Sequence, residues 1–212
     1  MEADKLRLLK ILREKSVSYG HFNLSSGRES GYYVDSKLTT FDPGGVSLVG
    51  KLVFEIIKDR GKGTSAVGGL TMGADPITIS TIIAALNEKY PLKGFSVRKE
   101  AKRHGKRKLI EGNLDVEDKV VILDDVITTG GSTIKAINAV REFGCDIIMV
   151  VTLVDRLEGG TEKIRKLGYD VHTIFTIDEL LDSTRLKEVN SDANCRHSNI
   201  LSEEGVFPKQ LV

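Results

Sequence analysis

From Ser65 to Ile177 the chain alternates short strand-like apolar runs with longer stretches of helical periodicity, and few folds accommodate that pattern. The strand-like runs are Ser65–Gly69, Gly94–Arg98, Lys119–Asp124, Asp146–Val154 and Val171–Ile177. Runs that are apolar at successive positions must be covered on both faces, which marks a parallel sheet between two helical layers. Apolar residues at helical spacing mark the segments around them: Gly44–Arg60, Ala74–Glu88, Gly131–Phe143, Thr161–Leu167 and Ile177–Leu186. Pro76 falls in the first turn of the second of these, where its missing N–H has no intrahelical partner to lose. Ahead of the alternation lie a helix over Lys5–Arg13, a turn-rich stretch and a short strand over Gly31–Asp35. The expected fold class is α/β, a doubly wound parallel sheet.

The 212 residues suit one domain with a small appendage. Periodicity is lost from about Ser191, so residues 1–190 read as the domain and 191–212 as a tail of unknown role. With 31 basic against 30 acidic residues, the chain carries no bulk signal for nucleic acid or a membrane surface, and any anion site must be a local cluster. Cys145 and Cys195 cannot build a disulfide framework and complete no zinc-site spacing, so free thiols in a reducing cytoplasm are expected. Met1–Leu12 is charged and lacks the apolar core of a signal peptide. No apolar run approaches the roughly 20 residues of a membrane span. The expected localisation is cytoplasmic.

The segment Val121-Ile122-Leu123-Asp124-Asp125-Val126-Ile127-Thr128-Thr129-Gly130-Gly131-Ser132 carries the chemistry. An apolar strand ends in two acids, a loop of hydroxyl and glycine residues follows, and a helix begins. Ligands of an open parallel sheet bind beyond the carboxyl ends of its strands. There Thr128–Ser132 would form a nest of backbone N–H groups at a helix N-terminus, suited to a phosphate. Gly130 and Gly131 permit close backbone approach, and Thr128, Thr129 and Ser132 add hydroxyl donors. Asp124 and Asp125, at the strand end, can accept hydrogen bonds from sugar hydroxyls and stabilise a cationic sugar carbon. The plainer reading is a glycine-capped turn with solvated acids; the length of the ordered match argues against it.

This segment resembles the signature of the type I phosphoribosyltransferases, which bind PRPP (5-phosphoribosyl 1-diphosphate). The resemblance implies a doubly wound parallel sheet with a small hood subdomain from the N-terminal part. It also implies that Asp124 and Asp125 face the ribose hydroxyls and that residues 126–132 (Val126, Ile127, Thr128, Thr129, Gly130, Gly131, Ser132) complete the PRPP site around the 5-phosphate. Mg2+ would be bound mainly through PRPP, with no direct protein ligand for the metal.

Three further segments resemble the orotate phosphoribosyltransferases in particular. Arg98-Lys99-Glu100-Ala101-Lys102-Arg103-His104-Gly105 is similar to their catalytic loop and implies PRPP contacts from Arg98, Lys99, Lys102 and His104, with Lys102 catalytic. It further implies a homodimer in which loop 98–112 completes the partner's site. Taken alone, such a basic run is usually a solvated loop. Arg156, in Thr152-Leu153-Val154-Asp155-Arg156, matches the arginine that contacts orotate together with Thr128. A guanidinium suits a planar carboxylate; the plainer alternative is an ion pair with Asp155 or Glu158. Phe22–Asp35 resembles the hood segment and implies that Tyr33 and Val34 lie near the base, with Tyr32 structural.

The match departs from the common family pattern at Ser25 and Met72, where many members carry lysine. The expected activity is transfer of the phosphoribosyl group of PRPP to orotate, giving orotidine 5'-monophosphate and diphosphate in pyrimidine biosynthesis, without nucleic acid or membrane partners. Two alternatives stay open at this point: a phosphoribosyltransferase for another base, and a non-catalytic PRPP-sensing regulator of the same fold.

Overall fold

The computed structural model describes residues 1–23, 29–100 and 109–182. Along the chain run α1 (Glu2–Ser16), β1 (Val17–Asn23), β2 (Glu29–Val34), α2 (Lys37–Thr40), α3 (Pro43–Arg60), β3 (Ala66–Leu70) and α4 (Ala74–Asn87). Then follow β4 (Lys93–Val97), β5 (Ile110–Gly112), β6 (Lys119–Ile127), α5 (Gly131–Phe143), β7 (Asp146–Asp155), α6 (Gly160–Lys166), β8 (Val171–Thr176) and α7 (Ile177–Leu181). Met1–Leu181 form one unit by their contacts. The tail assigned to 191–212 lies outside the described residues.

Six strands pair in the order β5-β4-β3-β6-β7-β8, and β1 and β2 form a separate antiparallel hairpin. All neighbours in the large sheet are parallel except β5, which returns antiparallel beside β4. Both faces are covered, as the apolar runs require. Val121 and Leu123 of β6 point into a core shared with α1, α3 and α7, whereas Val120 and Ile122 point into a second core against α5 and α6. β3 leads through α4 to one edge of the sheet, and β6 leads through α5 to the other. The direction of winding therefore reverses between β3 and β6, and a crevice opens at their carboxyl ends.

The structure departs from the sequence reading at three strands, and it adds the short helix α2. The turn-rich stretch contains β1, whose alternation is broken by a register shift between Tyr19 and Phe22. The charged stretch contains β5, three residues long and paired with β4 through Phe95–Gly112 to Val97–Ile110. And β6 does not end at Asp124: Val126 and Ile127 still pair with Val154 and Asp155 of β7. The two acids thus stand inside the strand, where successive side chains leave on opposite faces.

β3 is built for close approach. An added Cβ at Gly69 would lie 2.0 Å from the Leu123 carbonyl oxygen of β6 and 2.7 Å from the Ala74 Cβ that opens α4. Neither neighbour is a flexible side-chain end. Gly69→Ala is therefore expected to cost about 1–3 kcal/mol, as overpacking does. Urea unfolding checks this: the midpoint should fall with the slope unchanged, and an unshifted midpoint would refute the close β3–β6 packing.

Candidate active site

The loop 128–132 joins β6 to α5 at the crevice. Gly130 adopts φ +80°, the left-handed region that glycine enters freely, and its carbonyl accepts the Ile134 N–H at 2.9 Å. The loop is braced from behind: the Gly160 N–H donates to the Thr128 carbonyl at 3.0 Å, and an added Cβ at Gly160 would meet that carbonyl at 2.4 Å. Gly131 differs. Nothing lies within 4 Å of where its Cβ would be, so no protein contact demands a glycine there. It lines a cavity of about 140 Å³ together with Asp124 and the other residues of 126–133. A larger hollow of about 720 Å³ lies among α1, α3 and β8, but it is lined by Leu52, Ile56, His172 and mixed charges rather than by a glycine loop. Chemistry rather than size singles out the smaller cavity.

The alternation of β6 separates the two acids. Asp124 continues the Val120–Ile122 face and meets α5, where Thr133 Oγ1 donates to its carboxylate at 2.5 Å. The Asp125 N–H donates to the same carboxylate at 3.0 Å. Asp125 continues the Val121–Leu123 face, and Ser36 Oγ donates to its carboxylate at 2.5 Å. Burial, and next the charge of Asp125, push the Asp124 carboxyl up to about 7, against which the Thr133 hydrogen bond acts only partly.

Residues 71–73 approach the same point from β3. Gly73 is pressed against Asp125, whose Oδ1 would lie 2.2 Å from an added Cβ. Asp75 holds this turn from α4, accepting from Thr71 Oγ1 at 2.6 Å and from Ser96 Oγ at 2.7 Å. Met72, where many relatives are expected to carry lysine, is more than half exposed. Lys37 stands one residue beyond Ser36 and pairs with Asp35 at 2.7 Å. Its ammonium is held above the usual lysine range, first by the hydrogen bond to Asp35, with the Asp125 charge adding to it.

Arg98 and Lys99 stand at the root of the basic loop. The Arg98 N–H donates to the Leu109 carbonyl at 2.8 Å, its guanidinium lies 3.6 Å from Glu111, and the Lys135 ammonium of α5 donates to the Lys99 carbonyl. Arg98, Gly131 and Lys135 line one hollow of about 370 Å³, which brings the loop root beside the glycine cradle. Lys102 and His104 lie outside the described residues, as does Ser25.

Arg156 follows β7 and is buried, with its N–H donating to the Ile127 carbonyl at 2.9 Å. Its Nε lies 3.0 Å from Glu158 Oε1, so the ion pair weighed as an alternative does form. Asp155 is occupied elsewhere, accepting from the Leu157 N–H and from Thr161 Oγ1. Tyr32 lies against the guanidinium, 5.3 Å from ring centroid to Cζ. Tyr33 stacks on Phe22 with centroids 5.6 Å apart, and Val34 is buried in the core. The site thus gains Tyr32, Ser36, Lys37, Asp75, Thr133 and Glu158, none of which the motifs singled out for it.

The Asp124 carboxyl binds its proton more tightly folded than unfolded, so its contribution to stability is full below about pH 4 and is lost as pH rises towards 7. Asn at this position keeps an acceptor for Thr133 and never ionises. Asp124→Asn should therefore melt close to the wild type near pH 4 and about 5 °C above it at pH 8, with turnover reduced. Melting curves across that range check the sign, and a gap that does not widen with pH would refute it.

Comparison with known proteins places the chain in a family. The family model for the phosphoribosyl transferase domain matches residues 49–188. An orotate phosphoribosyltransferase of Aquifex aeolicus is 46% identical over 182 residues, spanning 85% of this chain and 98% of that protein. The orotate phosphoribosyltransferase of Mycobacterium tuberculosis H37Rv in complex with Fe(III) dicitrate superposes with a TM-score of 0.75 at 37% identity, covering 84% of this chain and 99% of that one. The same enzyme in complex with PRPP gives a TM-score of 0.71 at 34% identity, with 84% and 98% covered. The chain belongs to the phosphoribosyltransferase family, in its orotate phosphoribosyltransferase group.

Proposed function

We propose that this chain transfers the phosphoribosyl group of PRPP to orotate, giving orotidine 5'-monophosphate and diphosphate, as a cytoplasmic step of pyrimidine synthesis. The observation that carries the reading is the junction of a glycine cradle with a buried arginine. The Arg156 and Gly160 N–H groups donate to the Ile127 and Thr128 carbonyls, so a carboxylate-binding side chain and a phosphate-binding loop share one scaffold. A molecule with a phosphate at one end and a carboxylated base at the other spans the two.

In this mechanism Thr128–Ser132 anchor the 5-phosphate through backbone N–H groups at the start of α5. The bond from ribose C1 to diphosphate loosens first, and the bonding pair leaves with the diphosphate. Asp124 and Asp125 oppose the positive charge that grows on the sugar. Arg98, Lys99, Lys102 and His104 receive the diphosphate, and Lys37 adds a cation on the side of residues 71–73. Orotate, held by Arg156 and Thr128, attacks C1 through its ring nitrogen and passes its N–H proton to the departing diphosphate as the bond forms. Among the described residues no three acids, histidines or cysteines gather to hold a metal. Asp124 and Asp125 carry hard oxygen donors of the kind Mg2+ takes and would lie beside an ion carried in by PRPP. Such an ion would neutralise diphosphate charge.

The working unit in this reading is a homodimer whose loop 98–112 completes the partner's site. An apolar stripe on α4 supports it: Ile79, Ile83 and Leu86 are spaced one turn apart and each is more than half exposed, and Met72 lies just ahead of them. Among the described residues no helix is long and apolar enough to cross a membrane.

Lys102→Ala should lower turnover about 100-fold with the melting temperature unmoved. Mixing Lys102→Ala with Asp125→Asn subunits tests the loop exchange. If the loop serves the partner, random reassortment restores about a quarter of wild-type activity, because half the dimers carry one intact site. A mixture no more active than its parents would refute it.

A further inference from the structure

Arg156 is a buried cation whose geometry is fixed before any base arrives. Its side chain is 7% exposed and that of Glu158 is 15% exposed. An uncompensated guanidinium at that depth is costly, and a carboxylate beside it offsets part of that cost in the free enzyme. Glu158 approaches from the Nε side, 3.0 Å away but off the N–H axis, so the contact is one of charge rather than an aligned hydrogen bond. The guanidinium carbon lies over the Tyr32 ring, 5.3 Å from its centroid. Among the described residues, no hydrogen bond takes up Nη1 or Nη2. The Nε edge is neutralised by Glu158, the group lies against the Tyr32 ring, and the two-pronged edge is left for a ligand carboxylate.

The two supports come from separate parts of the chain. Glu158 sits in the turn between β7 and α6, whose neighbouring Gly160 braces the cradle through Thr128. Tyr32 sits on β2 of the hairpin, two residues from Ser30, whose hydroxyl donates to the Tyr32 carbonyl at 2.7 Å. A guanidinium caught between a turn and a hairpin cannot swing away as a surface arginine would.

We infer that Glu158 and Tyr32 are positioning residues that hold the Arg156 guanidinium with its Nη edge towards the carboxylate of the base, and that this clamp sets the preference for a carboxylated pyrimidine over an uncharged one. The inference rests on the function proposed above and adds the origin of its base selectivity. Glu158 and the base carboxylate use different sides of the guanidinium, so the two anions do not compete for the same N–H groups. Thr128 and Arg156 would touch the base; Glu158 and Tyr32 act through Arg156.

Binding of orotidine 5'-monophosphate and uridine 5'-monophosphate, measured by calorimetry, isolates the carboxylate, because the two nucleotides differ only there. The wild type should prefer the carboxylated nucleotide. Glu158→Gln keeps the shape and removes the charge. It should weaken the carboxylated nucleotide about 10-fold and leave the other unchanged. In turnover, the KM for orotate should rise by the same factor, while the KM for PRPP and kcat stay within about twofold; the melting temperature should fall, because the buried guanidinium loses its counter-charge. Tyr32→Leu should move the same ratio in the same direction, and Tyr32→Phe should not. Equal weakening of both nucleotides would reduce Glu158 to a structural role and overturn the inference. Tighter binding of the carboxylated nucleotide would overturn it too, by making Glu158 a competitor. A wild type that binds both nucleotides alike would remove the orotate reading itself; a wild type that discriminates while Glu158→Gln does so equally well would remove the clamp alone.

Discussion

The parallel pairing of β3 with β6 is the constraint on which the site depends. The winding of the sheet reverses between these strands, so the loops after them, 71–73 and 128–132, open towards the same crevice. Their closeness requires small residues. Gly69 lies against the Leu123 carbonyl, and Gly73 lies against Asp125. Larger side chains would separate the strands and the two loops with them. The base end is tied to the same strand, because Arg156 and Gly160 donate backbone hydrogen bonds to Ile127 and Thr128 at the end of β6. In the proposed reaction, phosphate, sugar and base would thereby be held relative to one strand.

The acid pair is where stability and function pull apart. Two carboxylates at consecutive positions of a buried strand are unfavourable, and the fold answers with one hydroxyl donor for each: Thr133 for Asp124 and Ser36 for Asp125. That compensation is incomplete, since the Asp124 carboxyl still rises to about 7. A cationic sugar carbon is the kind of charge that would complete it, and a site poised in this way favours the charged transition state over the empty pocket. The buried Arg156 follows the opposite course, with Glu158 neutralising its charge before a ligand binds.

Much of this was legible in the sequence, for physical reasons that can be named. The buried strands read clearly because both faces had to be apolar, and the cradle read clearly because glycine and hydroxyl residues after such a strand have few structural uses. The remainder depends on tertiary placement. β1 hid behind a register shift, and β5 was too short to show a period. The end of β6 was placed too early because the acids interrupted the apolar run, although pairing with β7 carries the strand on to Ile127. Period-two alternation alone would have sent Asp124 and Asp125 to opposite faces. Ser36 and Lys37 carry no local signal and Tyr32 reads from the sequence as structural, since only the fold of the N-terminal segment brings them to the acids and the arginine. Glu158 did appear in the sequence as a rival to a ligand, and the structure supports reading it as an accompaniment to one.

Substrate identity is the central claim, and it is tested most directly by incubating the purified protein with Mg2+, PRPP and orotate. Loss of orotate absorbance is followed, with uracil, adenine and hypoxanthine in parallel. The account predicts consumption of orotate that requires both Mg2+ and PRPP, with little or no turnover of the other bases. Turnover of another base with orotate untouched would contradict it, as would PRPP binding with no turnover of any base.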